Sequence, residues 1–198
     1  MAQHIATIEN SGIRAVTPAA FYSQLQSGDL VFCSGREHIS RMIEGFTHSP
    51  FSHVLMAWHP EDGDTWLTIE STLHHGVHIG QLSAYVESYD GDLVLARRPV
   101  LSSADLRRSR DRGFTVLDDA YDWKQEVTTA GHRLLKEIPI EIPRQEYYCS
   151  GLQYWMSLAT PHPLQRPGPN YPTPEDVWTD PTVIPVCALR RARDTSSS

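Results

Sequence analysis

Cys149 stands in the run Glu146-Tyr147-Tyr148-Cys149-Ser150-Gly151-Leu152, and the residues after it, GLQYWMSLA, read as a helix. A cysteine at a helix N-terminus has its thiolate stabilised by the helix dipole and by free backbone N–H groups. The same N–H groups can hold an oxyanion during acyl transfer. A buried structural cysteine is the alternative that the local run leaves open.

A cysteine nucleophile needs a base within hydrogen-bond reach, and the base needs a partner to orient it. Of the ten histidines, His53 is the best placed. It lies in an apolar strand between Ser52 and Val54, where an unpaired histidine is costly to bury. A histidine satisfied inside a core fits there too. Glu70 closes a strand that is otherwise apolar or threonine, and alone it reads as an ordinary exposed carboxylate. Its relation to His53 is what singles it out. The runs FSHVLMAW (Phe51 to Trp58) and TWLTIE (Thr65 to Glu70) flank the turn-rich HPEDGD, a hairpin signal. A hairpin symmetric about Glu61 to Asp64 sets His53 opposite residues near Glu70 to Thr72. Cross-strand Cβ atoms lie only ~5 Å apart, so this hairpin brings His53 and Glu70 together.

The remaining reactive residue types read as structure. Cys33 and Cys187 lie in apolar strands and belong to the core. The cluster His74-His75-Gly76-Val77-His78 matches no common metal-binding spacing and has no cysteine nearby. There is no H-E-x-x-H, no nucleophile elbow, no phosphate loop and no dinucleotide fingerprint. The expectation is therefore no metal and no cofactor.

The elements that must position Cys149, His53 and Glu70 follow from local pattern. Thr17 caps a short helix from Pro18 to Leu25, which Gly28 can end. A strand follows at Asp29 to Cys33. Ile39, Met42, Ile43 and Phe46 fall at i, i+3, i+4 and i+7 and predict a helix over Arg36 to Phe46. After the hairpin come strands at Val77 to Ile79 and Asp92 to Arg97, and a helix from about Ala104 to Asp119 capped by Ser102 or Ser103. The prolines of PHPLQRPGPNYPTP (Pro161 to Pro174) exclude regular structure there. Thr173-Pro174-Glu175-Asp176 begins another helix, Val183 to Leu189 form a last strand, and the tail ending in DTSSS reads as mobile. Clustered strands with short turns, followed by helices, predict a single α+β domain with a mostly antiparallel sheet and a core over about residues 17 to 190.

Composition narrows the function classes. The chain has 198 residues, 40% hydrophobic and 21% charged, which suits one globular domain. A net charge of −7 argues against nucleic acid as the main partner, since phosphate binding needs clustered Lys and Arg. The basic clusters Arg107 to Arg112 and Arg190 to Arg193 read as solvated surface. Three widely spaced cysteines make no disulfide framework and suit a reducing compartment. The N-terminal residues have no secretory pattern, and no apolar run is long enough to span a bilayer. The cytoplasm is the default location, though signal-independent export would leave no mark of this kind.

Three blocks together resemble the circularly permuted papain-like hydrolases related to NlpC/P60, especially the YiiX/YebB-like branch. Ser27-Gly28-Asp29-Leu30-Val31-Phe32 is similar to that family's G-D-[IL]-hydrophobic-F strand. Ser49-Pro50-Phe51-Ser52-His53-Val54 is similar to its S-x-[YF]-S-H-V block and is followed by Ile69-Glu70-Ser71 and Gly76-Val77. Tyr147-Tyr148-Cys149-Ser150 is similar to its Y-C-S helix start. The order histidine, polar residue, cysteine is that of the permuted branch. The resemblance implies Cys149 as nucleophile, His53 as base and Glu70 as the orienting third member. It also implies a papain-like sheet packed on the cysteine helix, and Tyr148 and Ser52 beside the substrate. One departure is Gly151, where relatives often carry a glutamate.

Three functions follow as expectations. The first is a cysteine hydrolase acting on an amide or peptide bond through a thioester, with substrates that extend to cell-wall peptides. The second is a lipid acyltransferase or thioesterase using the same three residues, which an apolar groove beside Cys149 would favour. The third is a binding module that kept the fold without activity. Replacing Cys149 by alanine separates the third from the others. The sequence leaves oligomeric state and substrate identity open.

Overall fold

The computed structural model describes residues 12–35, 49–119, 147–166 and 172–191. The predicted helix over Arg36 to Phe46 and the DTSSS tail lie outside the described residues. In chain order the elements are β1 (Ala15–Val16), α1 (Pro18–Gln24), β2 (Asp29–Gly35), β3 (His53–Trp58), β4 (Leu67–Thr72), β5 (Gly76–Gln81), α2 (Leu82–Ser88), β6 (Gly91–Arg97), α3 (Ser103–Phe114), α4 (Cys149–Ser157), α5 (Pro174–Trp178) and β7 (Ile184–Leu189).

The strands form one seven-stranded sheet in the order β1-β7-β6-β2-β3-β4-β5. All pairings are antiparallel except β1 with β7. The expected α+β fold with a mostly antiparallel sheet is the one observed. Because side chains alternate across a strand, the sheet carries two cores. On one face Leu30, Phe32, Val54, Met56, Ile69 and Val94 pack against Cys149, Leu152 and Met156 of α4 and Val177 of α5. On the other, Val31, Leu55, Leu93, Leu95 and Cys187 pack against Phe21 of α1 and Leu82 and Val86 of α2. Cys33 and Cys187 are fully buried free thiols, in keeping with their place as core.

Local chemistry explains where the helices start. The Thr17 hydroxyl accepts from Ala20 N–H ahead of Pro18. Capping boxes join Ser102 to Asp105 and Thr173 to Asp176, each satisfying two backbone donors that a helix otherwise leaves open. The predicted helix to Asp119 stops instead at Phe114. Asp118 adopts φ +68°, and residues 118 and 119 exchange backbone hydrogen bonds with Val77 at 2.8 Å each. The chain there borders β5 rather than extending α3. Two elements were absent from the sequence reading, β1 and α2. The second carries a readable stripe, Leu82, Tyr85, Val86 and Tyr89, at i, i+3, i+4 and i+7.

The turn into β2 depends on one glycine. Gly28 has φ +94°, and a Cβ there would sit 2.5 Å from a Leu106 methyl, so both its conformation and its close approach to α3 exclude a larger residue. The next residue, Asp29, is buried and takes two hydrogen bonds from Arg97 at 2.7 and 2.8 Å and one from the Gln26 backbone at 2.8 Å. Burial raises its pKa despite that partner. It is a structural ion pair at the end of the sheet remote from His53.

Candidate active site

The site forms where two paired strands part. The β3–β4 ladder runs from Trp58↔Leu67 to Met56↔Ile69. Beyond that, β3 continues back to His53 and β4 on to Thr72 without further pairing. The register places His53 on the same face as Thr68 and Glu70 of β4, Cys33 of β2 and His78 of β5. Cys149 begins α4 on the opposite face. In the gap its sulfur comes within hydrogen-bond reach of the His53 ring.

Each partner is held from a different side. The segment leading into His53 is anchored by aromatic packing: Phe51 lies 5.1 Å from Phe32 and 4.9 Å from Trp178, ring centre to ring centre. Such pairs add about 0.5–1.5 kcal/mol each beyond the area they bury. Ser52 is buried, and its N–H and hydroxyl both donate to the Cys33 carbonyl, at 2.9 and 3.3 Å. That hydroxyl therefore ties β3 to β2. On α4, Tyr148 is the buried N-cap residue in extended conformation and makes no side-chain cap bond. The Ser71 hydroxyl donates to the Tyr147 carbonyl, and the Gln153 amide donates to the Ile69 carbonyl at 3.4 Å. Two side-chain bonds thus join the cysteine helix to β4.

Glu70 is 2% exposed, and both of its oxygens accept hydrogen bonds. Oε2 accepts from His53 Nε2 at 3.0 Å and from the Tyr85 hydroxyl of α2. Oε1 accepts from the Thr68 hydroxyl at 2.6 Å and lies 3.9 Å from His78 Nε2. Since Glu70 occupies Nε2, the ring nitrogen left for Cys149 is Nδ1. Burial disfavours the charged form of His53, but the Cys149 hydrogen bond and the Glu70 carboxylate outweigh it and raise its pKa to about 10. Burial likewise works against the Glu70 carboxylate, yet His53, Thr68 and Tyr85 together bring its pKa down to about 2. Burial and the nearby Glu70 and Cys149 push the Cys33 thiol well above its ordinary range.

The structure therefore brings Cys149, His53 and Glu70 together. Tyr148 and Ser52, the residues before Cys149 and His53, are both buried, and the Ser52 hydroxyl is engaged by backbone. Sequence reasoning overlooked Thr68 and Tyr85. Thr68 was legible as the residue two before Glu70 on one strand, hence on the same face. A cavity of about 320 Å³ lies elsewhere, between Met56, Trp58 and His59 at the far end of β3 and Leu106, Arg107 and Arg110 of α3.

This is an α+β fold with a cysteine-bearing helix laid on an antiparallel sheet. No family model matches the chain, and no curated protein matches it. Among solved structures it is similar to the crystal structure of the metalloprotein YiiX from Escherichia coli O157:H7, DUF1105. The two share 18% identity over 85% of this chain and 99% of that one, with a TM-score of 0.65. The two proteins share a fold over nearly the whole of the neighbour. No helix among the described residues is long and apolar enough to cross a membrane.

Proposed function

We propose that this protein is a cysteine hydrolase of the permuted papain-like, NlpC/P60-related kind, in which Cys149 forms a thioester with the acyl group of an amide or peptide substrate. The observation that carries this reading is His53 held between the Cys149 sulfur and the Glu70 carboxylate. The YiiX-like fold agrees with it.

With its pKa raised to about 10, His53 holds a proton through the neutral range, so the resting pair is an imidazolium facing the Cys149 sulfur. The thiolate attacks the substrate carbonyl carbon, forming the C–S bond and a tetrahedral oxyanion. The first N–H groups of α4 have no partner within the helix, and Tyr148 supplies no side-chain cap. The backbone N–H of Cys149 is thus available to the oxyanion. His53 gives its proton to the leaving nitrogen as the C–N bond breaks. It then takes a proton from water, whose oxygen attacks the thioester, and C–S cleavage returns the thiolate. Glu70 stays ionised throughout and fixes the ring.

The neighbour is described as a metalloprotein. Among the described residues of this chain, no three or more His, Cys, Asp or Glu are grouped to hold a metal ion. Both Glu70 oxygens already accept from O–H and N–H donors. These residues do not fit a metal.

The test is iodoacetamide labelling near neutral pH, read by mass spectrometry, with His53→Ala and Cys149→Ala controls. Fast labelling at Cys149 that slows in the histidine variant is the expected result. Labelling no faster than at Cys33 or Cys187 would sink the reading and leave a binding protein. Peptide amide and acyl thioester substrates, supplied in parallel, then distinguish a peptidase from a thioesterase or lipid acyltransferase.

A further inference from the structure

We infer that Tyr85 is a positioning residue of this site, a permanent hydrogen-bond donor that locks the Glu70 carboxylate in the orientation His53 requires. The inference rests on the cysteine-hydrolase reading and adds a fourth residue to it.

An ionised carboxylate only accepts, and a phenol has one hydrogen to give, so the Tyr85 O–H donates to Glu70 Oε2. That oxygen is the one His53 Nε2 approaches at 3.0 Å. The phenol oxygen is also 3.5 Å from Nε2, and the two rings lie nearly parallel, 11° apart with centres 6.0 Å from each other. With Thr68 on Oε1 at 2.6 Å, each carboxylate oxygen has an O–H donor, and rotation of the group about its final bond breaks both bonds. Charge-assisted bonds of this kind are about twice as strong as neutral ones.

Tyr85 is itself fixed by distant parts of the chain. Leu82 and Val86 on either side of it are fully buried against the sheet. The Arg191 guanidinium donates to the Tyr85 and Val86 carbonyls, and the Arg191 N–H donates to Asp92 at 2.9 Å. Burial and then the adjacent Glu70 charge hold the phenol well above its ordinary pKa. It therefore keeps its proton and serves as a donor rather than as a base. The titratable groups facing Glu70 are His53 from β3, His78 from β5, Tyr85 from α2 and Cys33 from β2.

The experiment is the pH–rate profile of Cys149 alkylation by iodoacetamide in the intact protein, compared for wild type, Tyr85→Phe and Tyr89→Phe. Phenylalanine keeps the ring and its packing, so a merely structural role leaves the profile in place. Tyr89 lies one turn on, its ring centre 5.7 Å from that of Tyr85, and serves as the comparison. The expected result is a rate for Tyr85→Phe about tenfold below wild type at neutral pH, the scale of one hydrogen bond to a charged group. Its acid limb should shift to higher pH, because Glu70 loses a donor that favours its ionised form. Melting temperature should stay close to wild type, and Tyr89→Phe should match wild type throughout. A Tyr85→Phe profile that overlays wild type, while His53→Ala is slow, overturns the inference and spares the hydrolase reading. Slow labelling of wild-type Cys149 that is indifferent to His53 overturns both.

Discussion

Glu70 and Ser71 are consecutive residues of β4 that hold the two halves of the candidate site from opposite faces of the sheet. The Glu70 carboxylate receives His53 on one face. The Ser71 hydroxyl donates to the Tyr147 carbonyl on the other, two residues before Cys149. Strand alternation makes this possible: one short strand sets the distance between the histidine and the cysteine helix.

Replacing Glu70 by glutamine keeps shape and removes charge. The His53 ring then loses the carboxylate that stabilises its protonated form, and its pKa falls from about 10. Alkylation of Cys149 at neutral pH should slow, because the imidazolium facing the sulfur is less strongly held. Unchanged rates would show that Glu70 does not act through His53.

Stability should depend on pH in a defined window. Glu70 has its pKa lowered from 4.5 to about 2, so its contribution is full above 4.5 and disappears as pH falls towards 2. His53 has its pKa raised from 6.5 to about 10, so its contribution is full below 6.5 and disappears as pH rises through 10. Cys149 first and then Glu70 raise the His53 pKa, and His53 lowers that of Glu70, so stability should be greatest between pH 4.5 and 6.5 on this account. Urea midpoints across the pH range check it, and a His53→Gln variant should show a flatter curve.

Gly80 leaves the space that Glu70 occupies. A Cβ at this position would lie 2.6 Å from Thr68 Oγ1 and 2.7 Å from Glu70 Oε1. Gly80→Ala should displace the carboxylate, slow Cys149 labelling and destabilise by about 1–3 kcal/mol, as overpacking does. Labelling at the wild-type rate would mean that Glu70 tolerates displacement.

Ser71→Ala should act on the cysteine side. It leaves the Tyr147 carbonyl in a buried setting without the hydroxyl, at a cost of about 1–3 kcal/mol. Denaturant unfolding measures that loss. The Cys149 labelling rate should fall with it, because the start of α4 is no longer tied to β4; a stability loss with an unchanged rate would refute the tie.

The site was legible in the sequence as far as local rules reach. Cys149 before a helical run and His53 in an apolar strand are local signals. The hairpin turn was enough to put His53 and Glu70 on one face of the sheet, because the turn's centre sets the register of both strands. The capping boxes at Ser102 and Thr173, the α1 cap at Thr17 and the antiparallel sheet follow from the same short-range chemistry.

Tertiary structure decided the rest. That β3 and β4 part beyond Met56 and Ile69 depends on what packs on both faces of the sheet, and that parting lets Cys149 meet a histidine whose side chain lies on the opposite face. Tyr85 reaches Glu70 because α2 folds back across the sheet and Arg191, 106 residues further along the chain, secures its carbonyls. Asp118 leaves the helical pattern of α3 to pair with Val77, a partner some forty residues earlier in the chain. Local propensity describes neighbours in sequence, and these contacts join residues that only the packed sheet makes neighbours in space.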